Sequence, residues 1–332
     1  MFIIQNYPTA VIFCFVTMLC WGSWANTQKL AAGNWRFELF YWDYVIGIVL
    51  FSFLFAFTLG SYGEGGRSFL PDWQQADNAN IGSAVLGGII FNAANILLGA
   101  AIAIAGMSVA FPIGIGLALV IGVIVNYLDA PLGNAPLLFS GVALIAAAIL
   151  LNANAYRKLG GKNSGATTKG IALSVVSGCM MGLFYKYVAA SMFPDFNIPE
   201  TGKLSPYTAV VFFSLGILMS NFLFNTVLMK RPFVGVPVNY ADYFIKGAFK
   251  NHFTGILGGM IWCVGMSFSI IASGKAGPAI SYGLGQGATV VAALWGIYIW
   301  KEFKAAPKNT NSILTLMLFC YMAGLVLIIL AR

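Results

Sequence analysis

The stretch Gly87–Tyr127, GGIIFNAANILLGAAIAIAGMSVAFPIGIGLALVIGVIVNY, decides the fold because it occurs again at Gly258–Tyr298, as GGMIWCVGMSFSIIASGKAGPAISYGLGQGATVVAALWGIY. A shift of 171 positions aligns the two stretches without a gap, and ten of the 41 positions are identical. Five of the ten identical positions are glycine in both stretches, whereas random placement of their glycines would give roughly 1.5 such positions. Internal duplication in an apolar chain favours a transporter architecture.

The composition places most of the chain in a lipid bilayer. Hydrophobic residues make up 59% of the sequence, charged residues 8%, and the mean hydropathy is +0.84. The net charge of +8 comes from basic residues in short loops, so we expect no nucleic-acid partner. The five cysteines are scattered through apolar runs, which argues against a zinc site or a disulfide framework.

The hydropathy pattern predicts an all-α membrane protein with ten transmembrane helices. Very short connections between spans 3 and 4 and between spans 8 and 9 predict a hairpin in each repeat. Five spans per half make the repeat inverted, with an N-terminal unit 1–152, a linker 153–167 and a C-terminal unit 168–332. The predicted spans are 8–31, 39–60, 80–105, 108–128, 134–152, 168–192, 206–229, 253–273, 277–299 and 311–331.

The distribution of basic residues predicts the orientation of the chain. The connections after the odd-numbered spans hold thirteen Lys and Arg residues, and the opposite side holds four. By the positive-inside rule, both termini face outward, and loops 153–167 and 230–252 are cytoplasmic. We therefore expect a multi-pass protein of the inner (plasma) membrane.

Two ionisable side chains inside predicted spans need an explanation, because a charge at the bilayer centre costs at least about 2.5 kcal/mol. Asp43 lies near the start of span 2, among tyrosine and tryptophan residues. It is a candidate proton-coupling carboxylate, protonated from the outside, or else an interfacial aspartate that reaches water. Lys186 in span 6 either pairs with an acid in the bundle, binds substrate oxygens or extends to the headgroups.

Neutral polar residues on aromatic-rich helices supply stacking surfaces, donors and acceptors for a small polar solute. Asn92 and Asn95 share one face of span 3, and Tyr282 and Gln286 share one face of span 9. Interhelical hydrogen bonding is the alternative role for each of them. The candidate substrate-binding residues are Trp21, Ser23, Trp24, Asn26, Tyr41, Asn92, Asn95, Tyr185, Lys186, Trp262, Tyr282 and Gln286.

The sequence does not favour an enzyme. The segment GGKNSGATTKG at 160–170 fits no P-loop register and follows no strand. His252 is the only histidine and lies at a loop edge, so we expect no histidine relay and no metal site. We expect no cofactor.

Short motifs spread over most of the chain carry a family resemblance. In order, they are Gly22-Ser23-Trp24, Trp42-Asp43-Tyr44, Asn95, Val125-Asn126-Tyr127-Leu128-Asp129, Leu204-Ser205-Pro206-Tyr207-Thr208-Ala209, Leu294-Trp295-Gly296 and Lys301-Glu302. Together they resemble the ureide permeases, a branch of the drug/metabolite transporter superfamily near the glucose/ribose porters. The resemblance implies that superfamily's fold, a central cavity and proton-coupled uptake of allantoin, uracil, xanthine or similar heterocycles. The central loop is short here and lacks the Walker-A-like motif of plant members.

Three functional hypotheses follow. The first is a proton-coupled importer of a small polar heterocycle, with Asp43 as the coupling acid. The second keeps the carrier but changes the substrate to a monosaccharide, because tryptophan platforms and asparagine donors also suit sugars. The third, a drug or metabolite exporter, is weaker because the candidate cavity has few acids to attract cations.

Overall fold

All regular elements in the described chain are helical. A computed structural model describes residues 1–31, 35–105, 107–158, 168–304, 306–307 and 309–332, without the side chains of 107–109 and 111. Ten helical segments within these ranges are long and apolar enough to cross a membrane, which confirms the predicted fold class. They are Tyr7–Leu30, Phe37–Phe57, Asn78–Ala105, Pro112–Asp129, Ala135–Arg157, Thr168–Ser191, Pro206–Lys230, Phe249–Ala276, Pro278–Ile299 and Thr310–Leu330.

We number the helices in chain order. They are α1 Tyr7–Ser23, α2 Asn26–Leu30, α3 Phe37–Phe57, α4 Phe69–Gln75, α5 Asn78–Ala105, α6 Met107–Asp129, α7 Ala135–Arg157, α8 Thr168–Ser191, α9 Pro206–Lys230, α10 Tyr240–Lys246, α11 Phe249–Ala276, α12 Pro278–Gln286, α13 Ala288–Leu294 and α14 Thr310–Leu330, with a π-helix at Trp295–Ile299 between α13 and α14. Most of the predicted linker 153–167, and the repeat position Gly106, lie outside the described residues.

Three spans begin at the same kind of local signal. The side chains of Asn6, Asn134 and Ser205 accept hydrogen bonds from backbone amides three residues later, at 2.9, 3.1 and 3.3 Å. A proline follows each cap within the first turn, where its missing N–H costs nothing. These caps satisfy helix-end donors that hydrocarbon cannot satisfy, so they fix where each span starts.

Spans 1 and 9 are interrupted, whereas the sequence predicted continuous helices at 8–31 and 277–299. Span 1 consists of α1 and α2, joined at Trp24 and Ala25. Span 9 consists of α12, α13 and the π-helix, with its first break at Gly287. Hydropathy cannot show the break at Gly287, because the segments on either side of it are mostly apolar; in span 1, by contrast, the short helix after the break is polar. Irregular backbone at membrane depth is tolerated where it lines a cavity.

The helix packing has a regular pattern. Span 8 packs on spans 1 and 2, span 3 packs on spans 6 and 7, span 1 packs on span 9, and span 6 packs on span 4. Adding five to each span number, and counting on from span 1 after span 10, turns the packing of span 8 on spans 1 and 2 into that of span 3 on spans 6 and 7. The same shift turns the packing of span 1 on span 9 into that of span 6 on span 4. Spans 5 and 10 pack on each other, and the same shift of five exchanges their places.

Two glycines illustrate this pattern at atomic detail. A Cβ atom at Gly47 in span 2 would overlap the carbonyl oxygen of Ile256 in span 8. A Cβ atom at Gly216 in span 7 would overlap the carbonyl oxygen of Val85 in span 3. The glycines are 169 positions apart and the carbonyls 171, close to the shift that aligns the repeated stretch. Both crossings therefore depend on a residue without a side chain.

Candidate substrate cavity

A cavity of about 230 Å³ lies inside the helix bundle. Spans 1, 3, 4, 5, 6, 8 and 9 all contribute to its lining, including both interrupted spans. Its walls are mainly apolar and aromatic, with Trp21, Trp24, Phe91, Phe184 and Trp262 among the lining residues. A concave, aromatic site with a few polar groups is typical of small-molecule binding.

Six residues of the predicted substrate-binding set line this cavity. They are Trp21, Trp24, Asn26, Asn95, Trp262 and Gln286. The rings of Trp21 and Trp262 are nearly parallel, with centroids 6.0 Å apart and planes 14° apart. Phe91 packs on Trp262 with its ring centroid 4.4 Å away. Flat aromatic faces next to amide side chains are suited to a planar polar ring.

Three further predicted residues support the lining from behind. The indole N–H of Trp295 donates to the hydroxyl of Ser23 at 2.9 Å. The hydroxyl of Tyr41 donates to Asn92 at 2.9 Å and accepts from the Nδ2 of Asn95 at 3.1 Å. Tyr41 and Asn92 are fully buried, so this chain of hydrogen bonds positions Asn95 at the cavity wall.

The remaining predicted residues lie away from the lining. Tyr185 donates to the carbonyl oxygen of Ser269 at 3.1 Å, and Tyr282 contacts two backbone carbonyls of spans 4 and 6 at 3.1 Å. Both tyrosines are fully buried and join helices. Lys186 forms a partly exposed ion pair with Asp129, the last residue of span 4, at 3.0 Å, so its charge lies at the end of the bundle and not in its interior.

A charged and aromatic cluster lines one end of the cavity. Lys29 forms an ion pair with Glu302 at 3.0 Å, and the hydroxyl of Tyr156 donates to the other carboxylate oxygen at 2.7 Å. The indole N–H of Trp300 donates to Asn26 at 2.6 Å, and Lys29 lies 4.6 Å from the centre of the Trp300 ring. We call Lys29, Glu302, Tyr156, Trp300 and Asn26 the mouth cluster. It joins spans 1, 5 and 9.

Sequence reasoning named only Asn26 as a site residue in the mouth cluster. Lys29 lies at the end of predicted span 1 and Glu302 just after predicted span 9, and the two are 273 positions apart, so no local pattern connects them. In the sequence, the motif Lys301-Glu302 contributes only to the family resemblance.

Asp43 lies outside the cavity, in a separate buried cluster. The hydroxyl of Tyr243 donates to its Oδ1 atom, and Nδ1 of His252 lies 2.9 Å from the same oxygen. The ring of Trp35 packs edge-on against His252, with centroids 5.1 Å apart. Oδ2 of Asp43 has no hydrogen-bond partner among the residues that the structure describes. We call Asp43, Tyr243, His252 and Trp35 the Asp43 cluster.

His252, which lies at a loop edge in the sequence, contacts Asp43 in this cluster. His252 lies in the first turn of α11, where the helix start brings its ring to Asp43. Its side chain is 25% exposed, so the cluster reaches solvent at the end of the bundle that carries the basic loops.

Tyr243 lies on the short helix α10, outside the membrane-spanning segments. Burial raises the pKa of Tyr243, and the neighbouring Asp43 carboxylate raises it further. The phenol therefore stays protonated at physiological pH and acts as a hydrogen-bond donor. Within the described chain, no three His, Cys, Asp or Glu side chains are grouped as metal ligands would be.

Comparison with known proteins identifies the family. The ureide permease family model matches residues 40–164 and 154–331. Ureide permease 2 and ureide permease 1 of Arabidopsis thaliana are 22% and 23% identical to this chain, and each alignment covers 98% of this chain and 97% of the relative. A solved crystal structure matches the fold with a TM-score of 0.61 at 13% identity, over 97% of this chain and 98% of the other. The chain is a multi-pass membrane transporter that belongs to the ureide permease family.

Proposed function

We propose that this chain imports a small polar heterocycle of the ureide type, coupled to protons, by alternating access. The observation that carries the proposal is the aromatic cavity inside a ten-helix bundle of the ureide permease family. The substrate class comes from the printed names of the relatives, which call them ureide permeases. No relative reported above favours the monosaccharide alternative.

The cavity supports a planar, polar substrate. Trp21 and Trp262 offer ring faces, while Asn95 and Gln286 offer amide donors and acceptors. A ureide or pyrimidine ring has both a flat face and alternating N–H and C=O groups at its edge. The proposed binding site comprises the six predicted residues that line the cavity.

Proton coupling is assigned to the Asp43 cluster. Asp43 in span 2 lies directly against Gly255 in span 8, and His252 and Tyr243 both contact its Oδ1 atom. Protonation would remove the charge that these two groups stabilise, and would therefore change how span 2 packs on span 8. Buried carboxylates within transporter bundles commonly serve as proton sites.

Alternating access requires two arrangements of the bundle, and the proposed inverted repeat provides them. The symmetric pairing of spans, and the matched glycine crossings at Gly47 and Gly216, support two related five-helix units. The mouth cluster crosses spans 1, 5 and 9, so breaking and re-forming the Lys29–Glu302 pair would open and close one end. The proposed orientation places both termini outside and the mouth cluster at the cytoplasmic end.

Uptake into proteoliposomes tests the function. We expect radiolabelled uracil or allantoin to accumulate when an inward proton gradient is imposed, and a protonophore to abolish the accumulation. Excess unlabelled heterocycle should compete, and excess glucose or ribose should not. Competition by glucose or ribose alone would contradict the assigned substrate class, and protonophore-insensitive uptake would contradict the coupling.

A further inference from the structure

The short helix α10 and the start of α11 expose large apolar side chains at the end of the bundle that carries the basic loops. Phe244 and Ile245 on α10 are 77% and 81% exposed, and Phe249, the first residue of α11, is 84% exposed. We call Phe244, Ile245 and Phe249 the outer patch. Neighbouring apolar side chains that are this exposed mark a surface that contacts a partner or a membrane.

The other side of α10 is held against the bundle by two tyrosines. The ring of Tyr240 packs on Trp42 of span 2, with centroids 5.8 Å apart, and its hydroxyl shares a hydrogen bond with that of Thr226 in span 7. The hydroxyl of Tyr243 donates to Asp43 of span 2. Asp43 and Thr226 lie roughly one to two helical turns inside the ends of their spans. The tyrosine side chains therefore reach into the bundle, while α10 itself runs beside the span ends.

The ends of span 2 give the level of α10 in the bilayer. Span 2 has 21 residues, and a helix of that length is about 31 Å long, close to the hydrocarbon thickness of about 30 Å. Its ends, and the helix beside one of them, therefore lie where the acyl chains meet the headgroups. Apolar side chains at this level are stabilised by insertion among the acyl chains.

Basic residues border the outer patch. The segment 230–252 holds four exposed basic residues and one acid, which leaves a net charge of +3 when histidine is counted as neutral. The single acid, Asp242, pairs with Lys246 at 2.7 Å. The excess charge therefore belongs to Lys230, Arg231 and Lys250. Basic side chains beside apolar anchors are attracted to anionic lipids at the membrane surface.

We infer that the outer patch is inserted in the bilayer boundary, and that Lys230, Arg231 and Lys250 bind the phosphate groups of anionic phospholipids there. The lipid then acts on the Asp43 cluster, because Tyr243 on the same helix donates to the Asp43 carboxylate. Lipid that holds α10 in place keeps this phenol on the carboxylate. Such a lipid site requires no particular substrate and no proton coupling, so it goes beyond the proposed function.

Hydrogen exchange of the purified full-length protein in nanodiscs tests the lipid site. One set of discs contains phosphatidylcholine alone, and the other contains phosphatidylcholine with an equal amount of phosphatidylglycerol. Amide exchange reports the local opening of a segment, so lipid that holds α10 should slow exchange there. We expect the amides of 240–246 to exchange at least about tenfold more slowly in the anionic discs. Segment 195–203, at the opposite end of the bundle, is the internal control and should exchange equally in both.

Two charge variants separate specific lipid contacts from a general effect of charge. Arg231→Gln with Lys250→Gln should reduce the difference between the two lipid compositions at least about fivefold. Arg157→Gln with Lys304→Gln removes the same two charge types from exposed positions at the same end, and should keep the wild-type difference. Equal exchange of wild-type α10 in both compositions would overturn the inference. A full-sized difference after the loss of Arg231 and Lys250 would overturn it as well.

A further pair of variants tests the apolar part of the site. Phe244→Ser with Ile245→Ser should speed exchange of α10 by about tenfold in both lipid compositions, because the helix loses its apolar anchors. Ile198→Ser, at an exposed isoleucine in the loop of the opposite end, is the control and should leave α10 unchanged. Exchange of α10 at the wild-type rate in the double serine variant would show that the outer patch is not inserted. No transport is measured, so a failure of the proposed function would leave these results unaffected.

Discussion

Nδ1 of His252 lies 2.9 Å from Oδ1 of Asp43, although 209 positions separate the two residues in the chain. The contact joins the cytoplasmic-end starts of spans 2 and 8, in the proposed orientation. Tyr243 donates to the same oxygen from α10, so three separate segments meet at one carboxylate. A change in the charge of Asp43 would therefore alter contacts that join spans 2 and 8 and the loop between spans 7 and 8.

His252→Gln should slow proton-driven uptake. Glutamine still donates a hydrogen bond to Asp43, but its amide cannot pass a proton on as an imidazole can. We expect proton-driven uptake to fall by about five- to tenfold, because the variant has no imidazole beside Asp43. Substrate affinity should stay within about threefold of wild type, because His252 does not line the cavity. Unchanged proton-driven uptake would contradict a role for His252 in proton transfer.

Tyr243→Phe should lower stability without changing the shape of the pH profile. Its raised pKa keeps the Tyr243 hydroxyl protonated throughout the physiological range, so it titrates only at higher pH. Loss of its hydrogen bond to the Asp43 carboxyl should cost about 1.5–3 kcal/mol, measured as a lower apparent melting temperature of the purified protein. Tyr62→Phe, at a 75% exposed tyrosine, is the control and should have no effect. A Tyr243→Phe protein as stable as wild type would show that this hydrogen bond contributes nothing.

The Lys29–Glu302 pair should act as a unit in uptake. Lys29→Gln and Glu302→Gln should each slow transport, and the charge-reversed double variant Lys29→Glu with Glu302→Lys should recover part of the rate. The side chains are 48% and 29% exposed, so we expect a coupling energy of no more than about 1 kcal/mol in a double-mutant cycle. Lys246→Gln breaks another exposed pair, with Asp242, and should not slow uptake. Additive effects of the two single variants would contradict a shared role at the mouth of the cavity.

Gly47→Ala and Gly216→Ala should destabilise the protein to a similar extent. In each variant the new methyl group overlaps a carbonyl oxygen of the facing helix, and relieving such overpacking typically costs about 1–3 kcal/mol. Thermal unfolding of the purified protein should show a clear decrease in melting temperature for both. Gly82→Ala is the control, because no atom lies within 4 Å of the added Cβ. Equal stability of all three variants would contradict the close crossings of spans 2 and 8 and of spans 7 and 3.

Features that depend on local chemistry were predictable from the sequence. Hydropathy alone located all ten spans, because each must cross an apolar layer of fixed thickness. The cavity-lining tryptophans Trp21, Trp24 and Trp262 were also identified, because large aromatic residues beside polar ones are conspicuous in apolar helices.

Features that depend on distant contacts were not predictable. His252 and Glu302 belong to loop edges in the sequence, and only the fold brings them to Asp43 and Lys29. The same limit explains Tyr282, whose spacing from Gln286 suggested a shared role, although Tyr282 joins helices and Gln286 lines the cavity.

The most direct test of the account compares wild type and Asp43→Asn in proteoliposomes that contain a pH-sensitive dye. The account separates the proton site from the substrate cavity, so Asp43→Asn should bind uracil within about threefold of wild type and still exchange labelled for unlabelled uracil. Glu64→Gln, at an exposed carboxylate, is the control and should resemble wild type. We predict that added uracil drives proton movement in wild type and none in Asp43→Asn. Proton movement of equal size in Asp43→Asn would contradict Asp43 as the coupling residue.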